Sequence, residues 1–108
     1  MIKRGDLVTV SLRGDYGKPR PALVIQSDLF AEHPSVTILP VTSEIRETPL
    51  FRYTVKASEV NGLMKTSQVM IDKLHTVTRE QIGTPFGRLN RNNMLEIERL
   101  LSVFIGIA

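Results

Sequence analysis

The sequence predicts an α+β domain, in which a small antiparallel β-sheet is followed by one C-terminal helix. Short apolar runs rich in Val, Ile and Leu recur up to residue 77, separated by segments with Gly, Pro and Asn. From residue 90 onward, the apolar residues instead follow steps of three and four. A length of 108 residues is typical of one domain, so we treat residues 1–108 as a single unit.

Four apolar runs in the first half predict strands, because each is short, β-branched and bounded by turn residues. The first alternates loosely, and its apolar side carries Val8, Val10 and Leu12. Pro40 lacks an N–H for a central ladder and therefore marks an edge or a bulge. The four strands cover Asp6–Leu12, Ala22–Gln26, Val36–Val41 and Phe51–Val55; the intervening loops are 13–19, 27–35 and 44–49.

The β-section is predicted to finish as one strand bent around Asp72–Lys73, formed from Ser67–Ile71 and Leu74–Val77. It follows a turn at Asn61-Gly62. Thr78–Ile82 then has the pattern of a short helix with a capping box.

Asn90 is predicted to cap the longer C-terminal helix, and Gly106 to end it. A stripe of apolar residues at helical spacing indicates the face that packs on the sheet. Its members are Met94, Ile97, Leu101 and Phe104, widened by Leu100 and Ile105.

Composition excludes several classes of site. There is no cysteine, so a disulfide framework, a thiol nucleophile and a Cys-ligated zinc are all excluded. The two histidines lack metal-ligand spacing, and we expect no metal and no cofactor. No apolar run approaches the roughly 20 residues of a membrane span, and no secretory signal is visible, so we expect a cytoplasmic protein without membrane contact. The net charge is a mild +3.

Three segments carry polar residues that suit phosphodiester chemistry. Residues 18–28 contain Arg20, which Pro21 holds in extended geometry and so aims in one direction. Residues 38–43 end in the hydroxyls of Thr42 and Ser43, which can donate to a phosphate. The structural alternatives, a surface Arg near a turn and hydroxyls that cap a turn, stay open for both segments.

The third segment, 62–77, contains the titratable group Asp72-Lys73-Leu74-His75. A carboxylate and an imidazole could divide the work of general base and general acid. If the chain stays extended, however, Asp72 and His75 lie on opposite faces, so they can serve one site only if the strand kinks between them. The structural alternative is a salt-bridged pair beside a surface histidine.

In order and spacing, these segments resemble the MazF/PemK family of toxin endoribonucleases. The opening KRGDLVTVSL resembles the family's first strand, PRPALVIQSD its Arg-Pro strand, and ILPVTS its strand that ends in Thr. NGLMKTSQVMIDKLHTV is similar to its Gly-Leu…Ser-x-Val segment, and GRLNRNNMLEIERLL to its closing helix. The likeness spans almost the whole chain.

The resemblance implies a twisted, barrel-like antiparallel sheet, a homodimer, and metal-independent cleavage of single-stranded RNA that leaves a cyclic phosphate. It also implies a cognate antitoxin as partner, with any DNA contact made only through the antitoxin complex. The catalytic positions carry over to Arg20 and Thr42, with Asp72 and His75 as the remaining catalytic candidates. Candidate RNA-binding residues are Lys18, Ser43, Lys65, Ser67 and Lys73.

The sequence departs from the family pattern at three positions. Some members carry an Arg two residues before the acid, where this chain has Met70. Lys73 stands where a Gln is common, and His75 where an Arg is common. These departures leave the identity of the general acid open.

Two other functions compete with the endoribonuclease. A non-enzymatic CcdB-like poison of gyrase would work through its C-terminal helix, and this chain ends in FIGIA. A plain nucleic-acid-binding β-domain would need exposed stacking aromatics. Only six aromatic residues are present, and we expect most of them in the core.

Overall fold

The computed structural model describes residues 1–11 and 18–108 and confirms the predicted α+β class. Within these residues, seven strands precede one α-helix. The predicted strands and the helix are present, with ends shifted by a few residues, and the structure adds a two-residue strand at Gly87–Arg88 that was not predicted. The elements are β1 (Asp6–Val10), β2 (Arg20–Val24), β3 (Ser35–Thr42), β4 (Arg52–Val55), β5 (Ser67–Met70), β6 (His75–Thr78), β7 (Gly87–Arg88) and α1 (Arg91–Phe104).

The central strand of the sheet is β3, and it serves two partners on the same edge. The strand order is β4-β5-β3-β2-β1-β7, all antiparallel, and β6 also pairs with β3. The first half of β3 pairs with β6 and its end pairs with β5, so Pro40 lies where neither partner needs an N–H. A 3-10 turn at Ile71–Lys73 joins the two partners, which confirms the predicted bend.

The sheet curls because the chain after β6 returns to β1. Val10 forms a bridge with Ile82, and the Gly83 amide donates to the Thr9 carbonyl at 2.8 Å. Alternation along the strands then divides the apolar residues between two clusters. One contains Val8, Val10, Ala22, Val24, Val36, Ile38 and Val77. The other packs against α1 and includes Leu7, Leu23, Leu39, Val69, Ile71, Met94 and Ile97.

Helix α1 begins as predicted but leaves its last turn uncovered. The Asn90 side chain accepts from the Asn93 amide at 2.8 Å, and the Asn93 side chain accepts from the Asn90 amide. Leu101 is the last helical residue packed against the core. The prediction that Phe104 and Ile105 extend this face is wrong, since both are about half exposed.

The short helix predicted at Thr78–Ile82 is confirmed as a 3-10 helix over Arg79–Gln81, with Thr78 as its N-cap and a capping box. The expectation that most aromatic residues lie in the core is wrong for the described ones: Phe51 and Tyr53 are half-buried and pack against the core, whereas Phe30, Phe86 and Phe104 are exposed. The predicted loop 13–19 lies mostly outside the described residues.

Candidate functional site

A row of polar residues crosses four strands on one face of the sheet. Continued to the strand ends, the β2–β3 register places Arg20 opposite Thr42. Thr42 is the partner of Gln68 on β5, and Gln68 is the partner of Thr54 on β4. Side chains of paired residues project from the same face, with Cβ atoms about 5 Å apart. We call Arg20, Thr42, Gln68 and Thr54 the polar row.

A groove of about 470 Å³ lies at the end of this row, where β2 begins and β3 ends. The structure therefore brings together five of the nine residues singled out in the sequence, from three separate segments. Apolar residues of the facing loops complete the walls. The five residues are Arg20, Thr42, Ser43, Lys65 and Ser67; Leu63, Met64 and Phe86 are among the others.

Arg20 is the cation at the head of the groove. It is the first residue of β2, is paired with Val10 of β1, and is exposed to solvent. Because Pro21 follows within the strand, the backbone of Arg20 is held extended. A guanidinium at this position can hold a phosphate through two parallel hydrogen bonds.

Thr42 caps the turn after β3 and keeps a hydroxyl proton for a further hydrogen bond. Its Oγ1 accepts from the Glu44 amide at 3.1 Å, which caps the turn that follows β3. The bond uses a lone pair, so the hydroxyl proton is not consumed by it. Thr42 can therefore donate to a phosphate oxygen while it caps the turn. Ser43, the next residue, is exposed at the rim of the groove.

The opposite wall of the groove is a loop ordered by the buried side chain of Asn61. Its Nδ2 donates to the Lys56 carbonyl, and its Oδ1 accepts from the Ser58 and Leu63 amides at 2.9 and 3.0 Å. Gly62 follows with a positive φ of 68°, and a Cβ there would lie 2.4 Å from the Phe86 carbonyl oxygen. The predicted Asn-Gly turn thus fixes where the loop meets the groove.

Ser67 lies beneath this wall. It is 5% exposed, and its Oγ donates to the Lys65 carbonyl at 2.9 Å. Its hydroxyl therefore positions the Lys65 backbone, while the Lys65 side chain is exposed beside the groove. Lys18 is also exposed, two residues before Arg20.

The Asp72–His75 group lies elsewhere and does not border the groove. His75 is the partner of Ile38, which is four residues, or about 13 Å, along β3 from Thr42. Asp72 and Lys73 belong to the 3-10 turn, which supplies the kink that a shared site for Asp72 and His75 requires. The His75 Nδ1 lies 2.9 Å from the Lys73 carbonyl oxygen, which can only accept, so Nδ1 is the donor in this contact.

Sequence reasoning missed a second cationic cluster beside the polar row. Arg46 forms an ion pair with Glu44 at 2.9 Å, and Arg52 donates to the Glu44 carbonyl at 2.8 Å. A hydrogen bond from Arg46 and its charge, with a smaller effect of the Arg52 charge, lower the pKa of Glu44. The available signal was the glutamine in SQVM, a large polar side chain inside a predicted strand.

The described residues contain no group of three His, Asp or Glu side chains placed to hold a metal ion. No described helix is long and apolar enough to cross a membrane.

The curled sheet and terminal helix recur in solved toxin structures. An endoribonuclease in complex with its cognate antitoxin, from Mycobacterial species, superposes with a TM-score of 0.84 at 20% identity, over 100% of this chain and 98% of that chain. MazE-MazF from Deinococcus radiodurans (Form-II) gives 0.80 at 21% identity, over 99% and 97%. The chain thus has the fold of the MazF-like toxins.

Sequence comparison identifies the family. A model described as "PemK-like, MazF-like toxin of type II toxin-antitoxin system" matches residues 3–105. The probable endoribonuclease MazF of Mycolicibacterium smegmatis is 43% identical over 108 residues, 99% of this chain and 99% of the relative. The protein belongs to the PemK-like, MazF-like family of type II toxins, which confirms the resemblance found in its motifs.

Proposed function

We propose that this toxin is an endoribonuclease that cleaves single-stranded RNA by transesterification. The observation that carries the proposal is the cross-strand placement of Arg20 opposite Thr42 at the groove. A guanidinium and a hydroxyl donor carried on one face by neighbouring strands suit the non-bridging oxygens of one phosphate. The sequence relative, a probable endoribonuclease, supports the same activity.

In the proposed reaction, the 2′-oxygen attacks the adjacent phosphorus and the bond to the 5′-oxygen breaks. The products are a 2′,3′-cyclic phosphate and a free 5′-hydroxyl. A base removes the 2′-proton and an acid supplies one to the 5′-oxygen. Arg20 and Thr42 stabilise the charge that develops on the non-bridging oxygens. Neither step requires a metal.

Proton transfer by Asp72 and His75 is the expectation from the sequence, and for His75 we propose a contact with RNA instead. The distance of about 13 Å between the Ile38–His75 pair and Thr42, measured along β3, favours contact with a flanking nucleotide. Lys18, Ser43, Lys65 and Lys73 are exposed and remain candidates for RNA contacts. Ser67 would act indirectly, through the Lys65 backbone.

The proposal separates this chain from a topoisomerase poison and from a plain nucleic-acid-binding domain. Neither alternative requires a guanidinium and a hydroxyl focused on one phosphate. The exposed Phe104 and Ile105 leave the helix end accessible to a partner, but none of the nine candidate site residues belongs to that helix. The focused pair therefore favours the enzyme.

The proposed partner is an antitoxin with an acidic, disordered segment that folds on the toxin. The solved Mycobacterial relative is in complex with its cognate antitoxin. Such a segment would compete with RNA for Arg20 and Lys65, and any DNA contact would be made through the complex. Saturating antitoxin should abolish cleavage, and rising salt should weaken both interactions. Unchanged cleavage at saturation would rule out occupation of the groove.

The proposed working form is a cytoplasmic homodimer of this single domain, because one curled sheet offers only a shallow binding surface. Sedimentation at micromolar concentration should give the mass of two chains. A single-chain mass under those conditions would contradict the dimer.

The activity itself is tested with long single-stranded RNA in excess chelator, with the fragment ends mapped. Cleavage should persist and leave cyclic phosphates. A matched oligonucleotide with 2′-deoxy at the cleavage position should resist cutting, because it lacks the attacking oxygen. Cutting of the deoxy substrate would indicate activated water and overturn the mechanism; intact RNA would overturn the function.

A further inference from the structure

The guanidinium of Arg52 is held rigidly on the face that carries the polar row. Its Nη1 donates to the Glu44 carbonyl at 2.8 Å and to the Gln68 Oε1 at 3.1 Å. Its Nη2 lies 3.6 Å from the sulfur of Met70, its cross-strand partner. The side chain is only partly exposed. An arginine fixed by three contacts loses little freedom when it binds a ligand.

These contacts bring the charge of Arg52 to the turn that Thr42 caps. Thr42 Oγ1 accepts from the Glu44 amide, and Arg52 donates to the carbonyl of the same residue. Arg52 itself stands on β4, two strands away from Thr42. Its long side chain therefore reaches back across β5 toward the candidate reacting centre.

Gln68 is the residue that directs this reach. It lies between Thr42 and Thr54 in the polar row and is 4% exposed. Its Nε2 donates to the Arg46 carbonyl at 2.9 Å and to Thr54 Oγ1, while its Oε1 accepts from the Arg46 amide and from Arg52. All of its hydrogen-bonding groups are thus engaged, so Gln68 ties the turn after β3 and the Arg52 guanidinium into one unit.

Arg52 retains donors for a ligand. Two of its five N–H groups are taken by oxygen acceptors, and a third faces the sulfur of Met70, which is a weak acceptor. Within residues 1–11 and 18–108, its Nε has no protein acceptor. A phosphate beside the polar row could therefore bind Arg52 without breaking the bonds that hold it.

We propose that Arg52 binds an RNA phosphate next to the scissile one and that Gln68 is its positioning residue. The inference rests on the proposed endoribonuclease function. It adds a cation that is not among the candidate residues identified from the sequence motifs. Met70 stands where some family members place an arginine. Because Arg52 pairs with Met70 across the β4–β5 ladder, the neighbouring strand supplies the charge that β5 lacks.

The first test compares Arg52→Met with Arg46→Met. Both changes remove one arginine near Glu44, but the Arg46 side chain is 61% exposed and directed to the Glu44 carboxylate. Arg52→Met should lower the single-turnover rate about 10-fold to 100-fold, and Arg46→Met by less than about threefold. Equal losses would overturn the assignment, since they would indicate only a general charge effect.

The contact itself is tested with RNA that carries one neutral methylphosphonate on either side of the scissile phosphate. At one of these positions the neutral linkage should slow the wild type but not Arg52→Met, because the lost interaction is the same. Equal slowing of both proteins at both positions would contradict a direct contact. If the wild type cleaves no RNA, the proposed function fails instead, and the two failures are distinguishable.

The positioning role is tested with Gln68→Ala and with the double variant that combines Gln68→Ala and Arg52→Met. Gln68→Ala should reduce the rate nearly as much as Arg52→Met, and the double variant should lose little more. Thermal unfolding separates misfolding from this effect. Should Gln68→Ala fail to fold, Arg52→Lys provides a second measure, since it keeps the charge but loses the planar fork. A rate at the wild-type level for Arg52→Lys would show that directed geometry is not needed.

Discussion

The end and the middle of strand β3 have different surroundings. At its end, Thr42 is opposite Arg20 on one side and Gln68 on the other, and the face is polar across four strands. Near its middle, Ile38 is opposite His75, and the same face is buried in the apolar cluster that contains Val36 and Val77. Only the first arrangement places a guanidinium and a hydroxyl beside one groove.

The difference shows that sequence neighbours and site neighbours are distinct. Asp72, Lys73 and His75 form a conspicuous cluster in the sequence, but they lie at a bend where the chain passes from β5 to β6. Arg20 and Thr42 are separated by 21 intervening residues, and the antiparallel register brings them together. Variants at Thr42 and at His75 therefore test which of these two places holds the reacting centre.

The largest effect is expected from Arg20→Ala. Loss of the guanidinium removes one stabiliser of the transition state and should lower the cleavage rate by about 10² to 10³. Folding should change little, because Arg20 is exposed at the start of its strand. Cleavage assays on protein with a normal thermal transition check this, and near-normal turnover would refute the assignment.

Thr42→Val should have the next largest effect on cleavage. The change preserves shape and removes both the donated bond and the cap on the Glu44 amide. We expect a loss of about 10-fold or more in rate, together with about 1 kcal/mol of stability from the cap. Thr42→Ser should restore both. If Thr42→Val alters rate only as far as its unfolding explains, the hydroxyl is purely structural.

His75→Gln is expected to act mainly on binding. A general acid typically contributes about 10² to 10⁴ in rate, whereas a contact to a flanking nucleotide changes chiefly KM. We predict a rise in KM, a change in kcat below about fivefold, and an unaltered pH profile of kcat. Disappearance of one limb of that pH profile would instead make His75 the proton donor.

The smallest effect is expected from Glu44→Gln. Because Arg46 lowers the pKa of Glu44 below its ordinary value of 4.5, the carboxylate stays charged at neutral pH. Its interaction with Arg46 is present above pH 4.5 and is lost as the pH falls through the lowered value. The difference in RNA affinity between variant and wild type should therefore be constant between about pH 5 and pH 8. A change across that range would indicate a different titrating group.

Much of the fold follows from local patterns in the sequence. The strands with alternating apolar residues, the Asn61-Gly62 turn and the Asn90 cap each depend only on residues a few positions apart in the sequence. The exposed Phe104 was not predictable, because a helical stripe does not reveal where the underlying sheet ends. Gln68 and Arg52 were missed for the same reason: their roles arise from contacts across strands that no local spacing encodes.

The central claim, that Arg20 and Thr42 form the reacting centre and His75 lies outside it, is tested most directly by two double-mutant cycles on the single-turnover rate. Arg20→Ala combined with Thr42→Val should lose less than the product of the separate losses, by about fivefold or more, since both groups bind one phosphate. Arg20→Ala combined with His75→Gln should lose the full product. Independent effects of Arg20 and Thr42, with strong coupling of Arg20 to His75, would contradict the account.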